Sequence, residues 1–374
     1  MDWSLLKDLG QGLTGLTWGR LAMMSVGGLL IYLAVARRYE PNLLLPIGLG
    51  AILGNMPFTG LGDEGGLFAL LKQVGIDTDL FPLLIFIGIG AMIDFSPLLE
   101  RPSIILLGAA AQFGIFGTLL MAMAAGFDLK EAASIGIIGS ADGPTSIYVA
   151  GQLAPELLAP ITVAAYSYMS MVPLIQPPIM RLLTTREERR IRMPYASRPV
   201  SKTTRILFPI VATLITGLLA PKAVPLVGML MFGNLLRESG VVERLSQAAQ
   251  NELTNVVTIF LGVVIGSTMT ATSFLNPQTI MIFSMGLAAF ALDTAAGLLF
   301  GKLMCVASRG RVNPLIGASG ISAFPMSARV VHRVAQEEDF ENFLLMQATG
   351  ANTAGQIASV VAGGILLVLV GALA

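Results

Sequence analysis

Residues 138–148 read Ile-Gly-Ser-Ala-Asp-Gly-Pro-Thr-Ser-Ile-Tyr, a carboxylate, a glycine and a proline inside an otherwise apolar stretch. A carboxylate at membrane depth is costly without a partner and marks a functional site. Gly143 and Pro144 break a helix and free backbone carbonyls, which lipid tolerates only where they line a protected cavity. Asp142 is therefore predicted to hold a cation, with Ser140, Thr145, Ser146 and Tyr148 beside it. A second interrupted stretch, Val-Asn-Pro-Leu-Ile-Gly-Ala-Ser-Gly-Ile-Ser-Ala-Phe-Pro-Met-Ser-Ala-Arg at 312–329, offers Asn313, Ser319, Ser322 and Ser327. The helices that follow add Tyr166, Ser167, Tyr168 and Ser170 to one stretch, and Gln347, Thr349, Asn352, Thr353 and Gln356 to the other. Carboxylate, hydroxyl, amide and freed carbonyl oxygens suit a hard monovalent cation such as Na⁺, and no thiolate or imidazole set for a soft metal exists. Asp142 with Asn313 and Asn352 is the first predicted ligand set.

Other polar residues carry weaker signals. Serines and threonines of membrane helices mostly bond their own backbone or a neighbouring helix. Asp293, deep in Ala-Phe-Ala-Leu-Asp-Thr-Ala-Ala-Gly, reads equally as a second site, a proton relay or a partnered interhelical carboxylate. His332 lies in a basic stretch and reads as a surface residue. Arg329 ends the second interrupted stretch, where it could clamp an anionic substrate.

The elements that must position these groups are membrane helices. The 374-residue chain is 54% hydrophobic and only 12% charged, with a mean hydropathy of +0.76. A soluble domain would carry about a quarter charged residues. One cysteine, Cys305, excludes a disulfide framework and a Cys-x-x-Cys redox motif, and the single histidine disfavours a histidine metal site or haem. Residues 1–20, with Trp3 and Trp18, read as an interfacial amphipathic segment rather than a cleaved signal. Ten apolar segments follow, near 21–36, 42–56, 79–99, 102–127, 156–180, 206–220, 222–238, 256–276, 278–304 and 341–370. The long polar stretch 181–205, with eight basic and two acidic residues, reads as a cytoplasmic linker, a topology anchor and docking loop rather than a nucleic-acid patch.

The linker separates two similar halves. Pro46 and Gly54-Asn55 recur as Pro225 and Gly233-Asn234, Ile85-Phe86-x-Gly88 as Ile259-Phe260-x-Gly262, and Pro102 as Pro277, at shifts of 174 to 179. Matches in one order at a near-constant shift indicate a duplicated unit. With 128–154 and 312–336 as re-entrant hairpins, each half crosses five times and the halves are inverted. Most of the 23 Lys and Arg residues then face the cytoplasm, although a twelve-span alternative does nearly as well. The hairpins are preferred because Asp142-Gly143-Pro144 and Asn313-Pro314 fall mid-segment, where a turn is most plausible. The predicted fold is an all-α polytopic membrane protein of two inverted repeats, 21–180 and 206–374, each of about five transmembrane helices with one re-entrant broken-helix hairpin.

Gly-Ser-Ala-Asp-Gly-Pro-Thr-Ser-Ile-Tyr, Ser-Tyr-Met-Ser-Met-Val-Pro-Leu-Ile-Gln-Pro-Pro-Ile-Met at 167–180 and the 312–329 stretch together resemble the membrane β subunit of the biotin-dependent, sodium-pumping decarboxylases. That group acts on oxaloacetate, methylmalonyl-CoA, glutaconyl-CoA or malonate. The resemblance spans essentially the whole chain. It implies decarboxylation of a carboxybiotin presented by a partner, coupled to Na⁺ export and to consumption of a proton drawn from outside. It implies partners: a carboxyltransferase subunit, a biotin carrier protein and a small membrane-anchoring subunit. It also implies an elevator-type core moving against an oligomerising scaffold, a trimer, in a bacterial or archaeal inner membrane. By the same resemblance Asp142 is the central Na⁺ carboxylate, and Thr145, Asn313, Gly317 and Asn352 join its site. Tyr168 and Ser322 are implied second-site or proton-path hydroxyls, and Arg329 the partner of the carboxybiotin anion. The chain has no Met-Lys-Met biotinylation motif, so biotin must come from elsewhere. A secondary Na⁺-coupled symporter or Na⁺/H⁺ antiporter of similar build is the alternative, since it needs the same hairpins and cation site.

Overall fold

A computed structural model describes residues 11–193 and 200–373. Trp3 of the expected interfacial segment and residues 194–199 of the expected linker lie outside the described residues. Every regular element among those described is helical. The helices are α1 (Trp18–Arg37), α2 (Pro41–Asn55), α3 (Leu67–Gly75), α4 (Leu80–Met92), α5 (Pro102–Ala124), α6 (Leu129–Gly136) and α7 (Gly143–Leu153). They continue as α8 (Pro155–Leu183), α9 (Lys202–Leu219), α10 (Val224–Ser239), α11 (Glu243–Ser267), α12 (Pro277–Ala307), α13 (Met326–Glu338) and α14 (Leu345–Leu373).

Seven of these, α1, α5, α8, α9, α11, α12 and α14, are long and apolar enough to cross a bilayer. The pair α3–α4, bent by 61°, could form an eighth span. The multi-pass membrane character follows, because about 20 apolar residues cross a bilayer. Two of the ten expected spans are short: α2 has 15 residues and α10 has 16. The stretch expected to span at 79–99 ends at Met92 and is preceded by α3 instead. The spans begin where their caps dictate. Asn276 accepts the Thr279 amide at 2.8 Å ahead of Pro277, and proline at the first helical position costs no hydrogen bond.

Helix contacts fall into two groups. In one, α2 packs on α1 and α11, while α10 packs on α9 and α4. In the other, α12 packs on α8 and on the stretch Pro314–Gly320, and α14 packs on α5. The backbones of the first group touch through glycine. A Cβ on Gly50 would sit 2.1 Å from the Val263 carbonyl oxygen, and one on Gly266 2.0 Å from that of Ile47. Across the other pair, a Cβ on Gly90 would lie 1.8 Å from the Leu230 oxygen and one on Gly233 1.9 Å from the Ile87 oxygen. The repeated Gly-Asn motif does one job twice. Asn55 donates to Met269 O at 2.8 Å, beyond the end of α11, and Asn234 donates to Ile93 O at 2.9 Å, beyond the end of α4.

The two interrupted stretches differ in form. The first is α6, a 3₁₀ turn over Ile137–Ser140 and α7. The second has no helix in its first limb: a 3₁₀ stretch Pro314–Gly320 leads through irregular residues into α13. Ser140 Oγ donates to Ile137 O and Ser319 Oγ to Ile316 O, each at 2.7 Å, so the same Ile-x-x-Ser turn recurs. The tips meet where the Ser322 amide donates to Ser140 O at 3.0 Å. Asn313-Pro314, expected at the second tip, lies instead at the base of that stretch against residues 189–193.

Gly233→Ala should therefore destabilise the protein. Overpacking a tight contact costs about 1–3 kcal/mol, whereas Gly12→Ala meets open space. Thermal denaturation of the two variants in one detergent should show a lowered midpoint for Gly233→Ala alone.

Candidate functional site

The site is built on the N-terminus of α7. Asp142 is its N-cap residue, and Gly143 and Pro144 form its first turn. Gly143 is required there by contact, because a Cβ would lie 2.1 Å from the Tyr166 ring. The Asp142 carboxylate is 3% exposed. Its Oδ2 accepts Thr145 Oγ1 at 2.7 Å, Gln356 Nε2 at 2.7 Å and Ser359 Oγ at 2.8 Å. Its Oδ1 accepts only the Thr145 amide, at 3.3 Å. No basic side chain pairs with Asp142 among the described residues. One oxygen is thus saturated by neutral donors while the other keeps most of its acceptor capacity.

Asp142 borders a cavity of about 470 Å³ that lies between the two helix groups. Ala141, Tyr166, Ser322, Phe324, Pro325 and Gln356 line it from one group. Glu40 and Asn42 of the α1–α2 junction, Ile85 and Met92 of α4, and Thr254 and Thr258 of α11 line it from the other. A mostly apolar cleft of this size with a few convergent polar groups is the usual form of a small-ligand site.

The structure gathers some of the expected residues and disperses others. Thr145 bonds Asp142 from behind the cavity wall, and Ser322 joins Asp142 in lining the cavity, its hydroxyl donating to Gly355 O at 2.9 Å. Asn352 is one turn before Gln356 on α14. Its amide donates to Ile321 O at 2.6 Å, and its buried Oδ1 has no partner. Tyr168 points away, its hydroxyl bonded to Phe283 O of α12. Gly317 packs on α12, where a Cβ would lie 2.0 Å from Gly297 O. Asn313 is fully buried and bonded to Arg189 O and Ile191 O. Arg329 is exposed in the first turn of α13, four residues after Pro325 of the cavity wall. Asp293 is fully buried: Oδ1 accepts the backbone amides of Gly114 and Ile115 where α5 breaks at Gln112, while Oδ2 has no partner. Its interhelical reading is thus the one with visible partners.

Ser359 was not among the expected residues. The signal was present, since Asn352, Gln356 and Ser359 fall at i, i+4 and i+7 and so share one helix face. Glu40, Asn42, Thr254 and Thr258 left no sequence signal, because only the packing of the two helix groups brings them to the cavity.

Comparison with known proteins converges on one family. The profile of the Na⁺-transporting oxaloacetate decarboxylase beta subunit matches residues 19–370. The chain is 53% identical to the glutaconyl-CoA decarboxylase subunit beta of Acidaminococcus fermentans, over 98% of this chain and 97% of the relative. It is 54% identical to the methylmalonyl-CoA decarboxylase subunit beta of Veillonella parvula, over 98% and 96%. It is 48% identical to the oxaloacetate decarboxylase beta chain of Klebsiella pneumoniae, over 96% of each. Relatives that are subunits of decarboxylases disfavour a gradient-driven symporter or antiporter. A buried carboxylate at a chain break, in a multi-pass helical protein with these relatives, identifies the chain as a member of the beta-subunit family of the Na⁺-transporting decarboxylases, the membrane components of sodium-pumping complexes.

Proposed function

We propose that Asp142 is the carboxylate that carries Na⁺ through this subunit, and that the adjoining cavity receives the carboxylated biotin of a partner. The observation that carries this reading is a carboxylate buried without any basic partner. Leaving such a charge uncompensated costs several kcal/mol, so the site favours an incoming cation or a proton. Oδ1 supplies the ligand, while Thr145, Gln356 and Ser359 hold Oδ2 and so fix the plane of the carboxylate. The unpartnered Asn352 Oδ1 is the next available oxygen on the same helix. Ser322 brings the second tip to the first, and its hydroxyl borders the same cavity.

The cavity fits the other substrate as well. Its apolar walls exclude water from a carboxylate whose loss is eased by desolvation. The bound carboxybiotin supplies CO₂ and a ureido nitrogen that takes up a proton. The exposed Arg329 stands near the cavity wall, where a guanidinium can meet an anion as it enters. Tyr168, on the α12 side, serves the packing of α8 against α12 or a proton path rather than the ion itself.

Glu40, Asn42, Met92 and Thr254 lie toward the helix ends that adjoin Arg37, Arg38, Arg101 and Arg244. By the positive-inside rule this end is cytoplasmic, so the cavity opens inward, toward the side from which Na⁺ is exported, across a bacterial or archaeal inner membrane. The reciprocal packing of α2 with α11 and α10 with α4 supports two inverted repeats. The cavity between the helix groups supports an elevator in which the hairpins, α5, α8, α12 and α14 move against the rest. Ion and substrate couple if both bias that one equilibrium. The carboxyltransferase, biotin carrier and small membrane-anchoring subunit are the partners this chemistry needs, with the scaffold group available for trimer contacts. The complex is of the acyl-CoA type: alignments to the two acyl-CoA relatives run 368 and 366 positions, against 419 for the Klebsiella oxaloacetate chain.

Inverted vesicles carrying the native complex should accumulate Na⁺ when supplied with the acyl-CoA substrate, and avidin should abolish the uptake. Uptake driven by an ion gradient and indifferent to avidin would remove the pump reading. Asp142→Asn should abolish Na⁺-stimulated decarboxylation while carboxyl transfer by the partner persists. Ser359→Ala, which removes one of three donors to Oδ2, should raise the half-saturating Na⁺ concentration about tenfold, as expected for one hydrogen bond of roughly 1.4 kcal/mol.

A further inference from the structure

Residues 184–193, which follow α8, fold back across the base of the second interrupted stretch. Two buried asparagines hold them there. Asn313 Nδ2 donates to Arg189 O at 3.0 Å and to Ile191 O at 2.8 Å. Asn342, on the far side of α13, donates to the same two carbonyls at 2.9 and 3.3 Å. Both residues are fully buried. Gln347 Nε2 donates to Met193 O at 2.8 Å, extending the attachment into α14. Ion pairs reinforce it: Arg189 with Glu338 at 2.6 Å, Arg192 with Asp339 at 2.6 Å and Arg181 with Glu337 at 2.6 Å. The Arg189 hydrogen bond holds the Glu338 carboxyl below its ordinary range, and Arg192 does the same for Asp339. Both acids therefore stay charged at neutral pH, and these pairs are lost only as pH falls below the usual carboxylate range.

Both amide hydrogens of Asn313 serve the returning segment, and its Oδ1 accepts the Leu315 amide at 3.0 Å as the cap of the 3₁₀ stretch, so the carboxamide is held at the base of that stretch. Each strap carbonyl in turn receives two asparagine donors, which uses both lone pairs. The same stretch is tied to α8 a second time, by Gln176 donating to Ala318 O at 2.8 Å.

We propose that Asn313 and Asn342 form a clasp that locks segment 184–193 to the base of the second hairpin, so that Asn313 positions the Ser322 tip beside Asp142 and does not itself ligate the ion. This rests on the reading of Asp142 as the ion site. The clasp joins α8, which supplies Tyr166 to the cavity, to both ends of the element that supplies Ser322. Loosening it lets the tip drift from the position that completes the site, and small misplacements at a reacting centre are costly.

The test uses the purified native decarboxylase complex with Asn313→Ala, Asn342→Ala and the double variant. Cleavage by trypsin after Arg189, which is 6% exposed in the clasp, should accelerate roughly tenfold in each single variant, because opening tracks the lost hydrogen bonds. Turnover should fall by a similar factor in both, with half-saturating Na⁺ within about twofold of the parent. The double variant should be cleaved faster than either single one, because it leaves both carbonyls without an asparagine donor. Asn313→Ala raising the half-saturating Na⁺ more than about tenfold, with cleavage after Arg189 unchanged and Asn342→Ala indistinguishable from the parent, would overturn the proposal. If Asn313→Ala does not assemble, Asn342→Ala decides alone, and parental cleavage and turnover in that variant sink the clasp. Normal Na⁺ dependence of Asp142→Asn would instead remove the ion-site reading while leaving the proteolysis result standing.

Discussion

A carboxylate placed in a low-dielectric interior without a cationic side chain is the constraint from which the rest of this structure follows. Asp142 is tolerated because neutral donors surround it. The donors must come from elsewhere in the fold, and they do: Thr145 from the same turn, Gln356 and Ser359 from the last helix. Had an arginine been supplied instead, the charge would be permanently satisfied. The site is built to be incomplete.

That incompleteness dictates the architecture around it. The helix starts at Asp142 and a cavity adjoins it. Two broken segments meet tip to tip there, and two helix groups touch across the cavity. The two kinds of packing differ accordingly. Within the first group, glycines bring backbones to near contact and leave little room for sliding. Between the groups the contact is looser and is interrupted by about 470 Å³ of space.

The sequence was legible where chemistry is local. Asp142-Gly143-Pro144 announces a helix start and a buried charge within three residues, and Gly-Asn repeated at a shift of 179 marks two asparagines that make equivalent contacts. Reading failed where the outcome depends on which surfaces meet. Asn313 and Pro314 look like a hairpin tip because a proline follows a polar residue mid-segment, yet the same pair is equally suited to cap a 3₁₀ stretch at its base. The choice is made by segment 184–193, whose carbonyls are accepted partners only in the folded state. Ser359 escaped notice because one hydroxyl in an Ala-Ser-Val-Val context is indistinguishable from a helix-bonded serine until its neighbour is known. The expected apolar segment 42–56 coincides with α2, whose 15 residues are fewer than the about 20 that cross a bilayer upright.

The exchange of partners between halves also bears on how the chain is made. When α2 and α4 leave the ribosome, the faces carrying Gly50 and Gly90 have no helix to close on, since their partners Val263 and Leu230 are encoded about 210 and 140 residues later. Asn55 waits for an acceptor that does not yet exist. Until the second half is inserted, α2 has α1 to pack on but lacks α11, and α4 lacks α10, so the contacts between the halves form late. Truncation before α10 leaves the glycine faces of α2 and α4 without their partners.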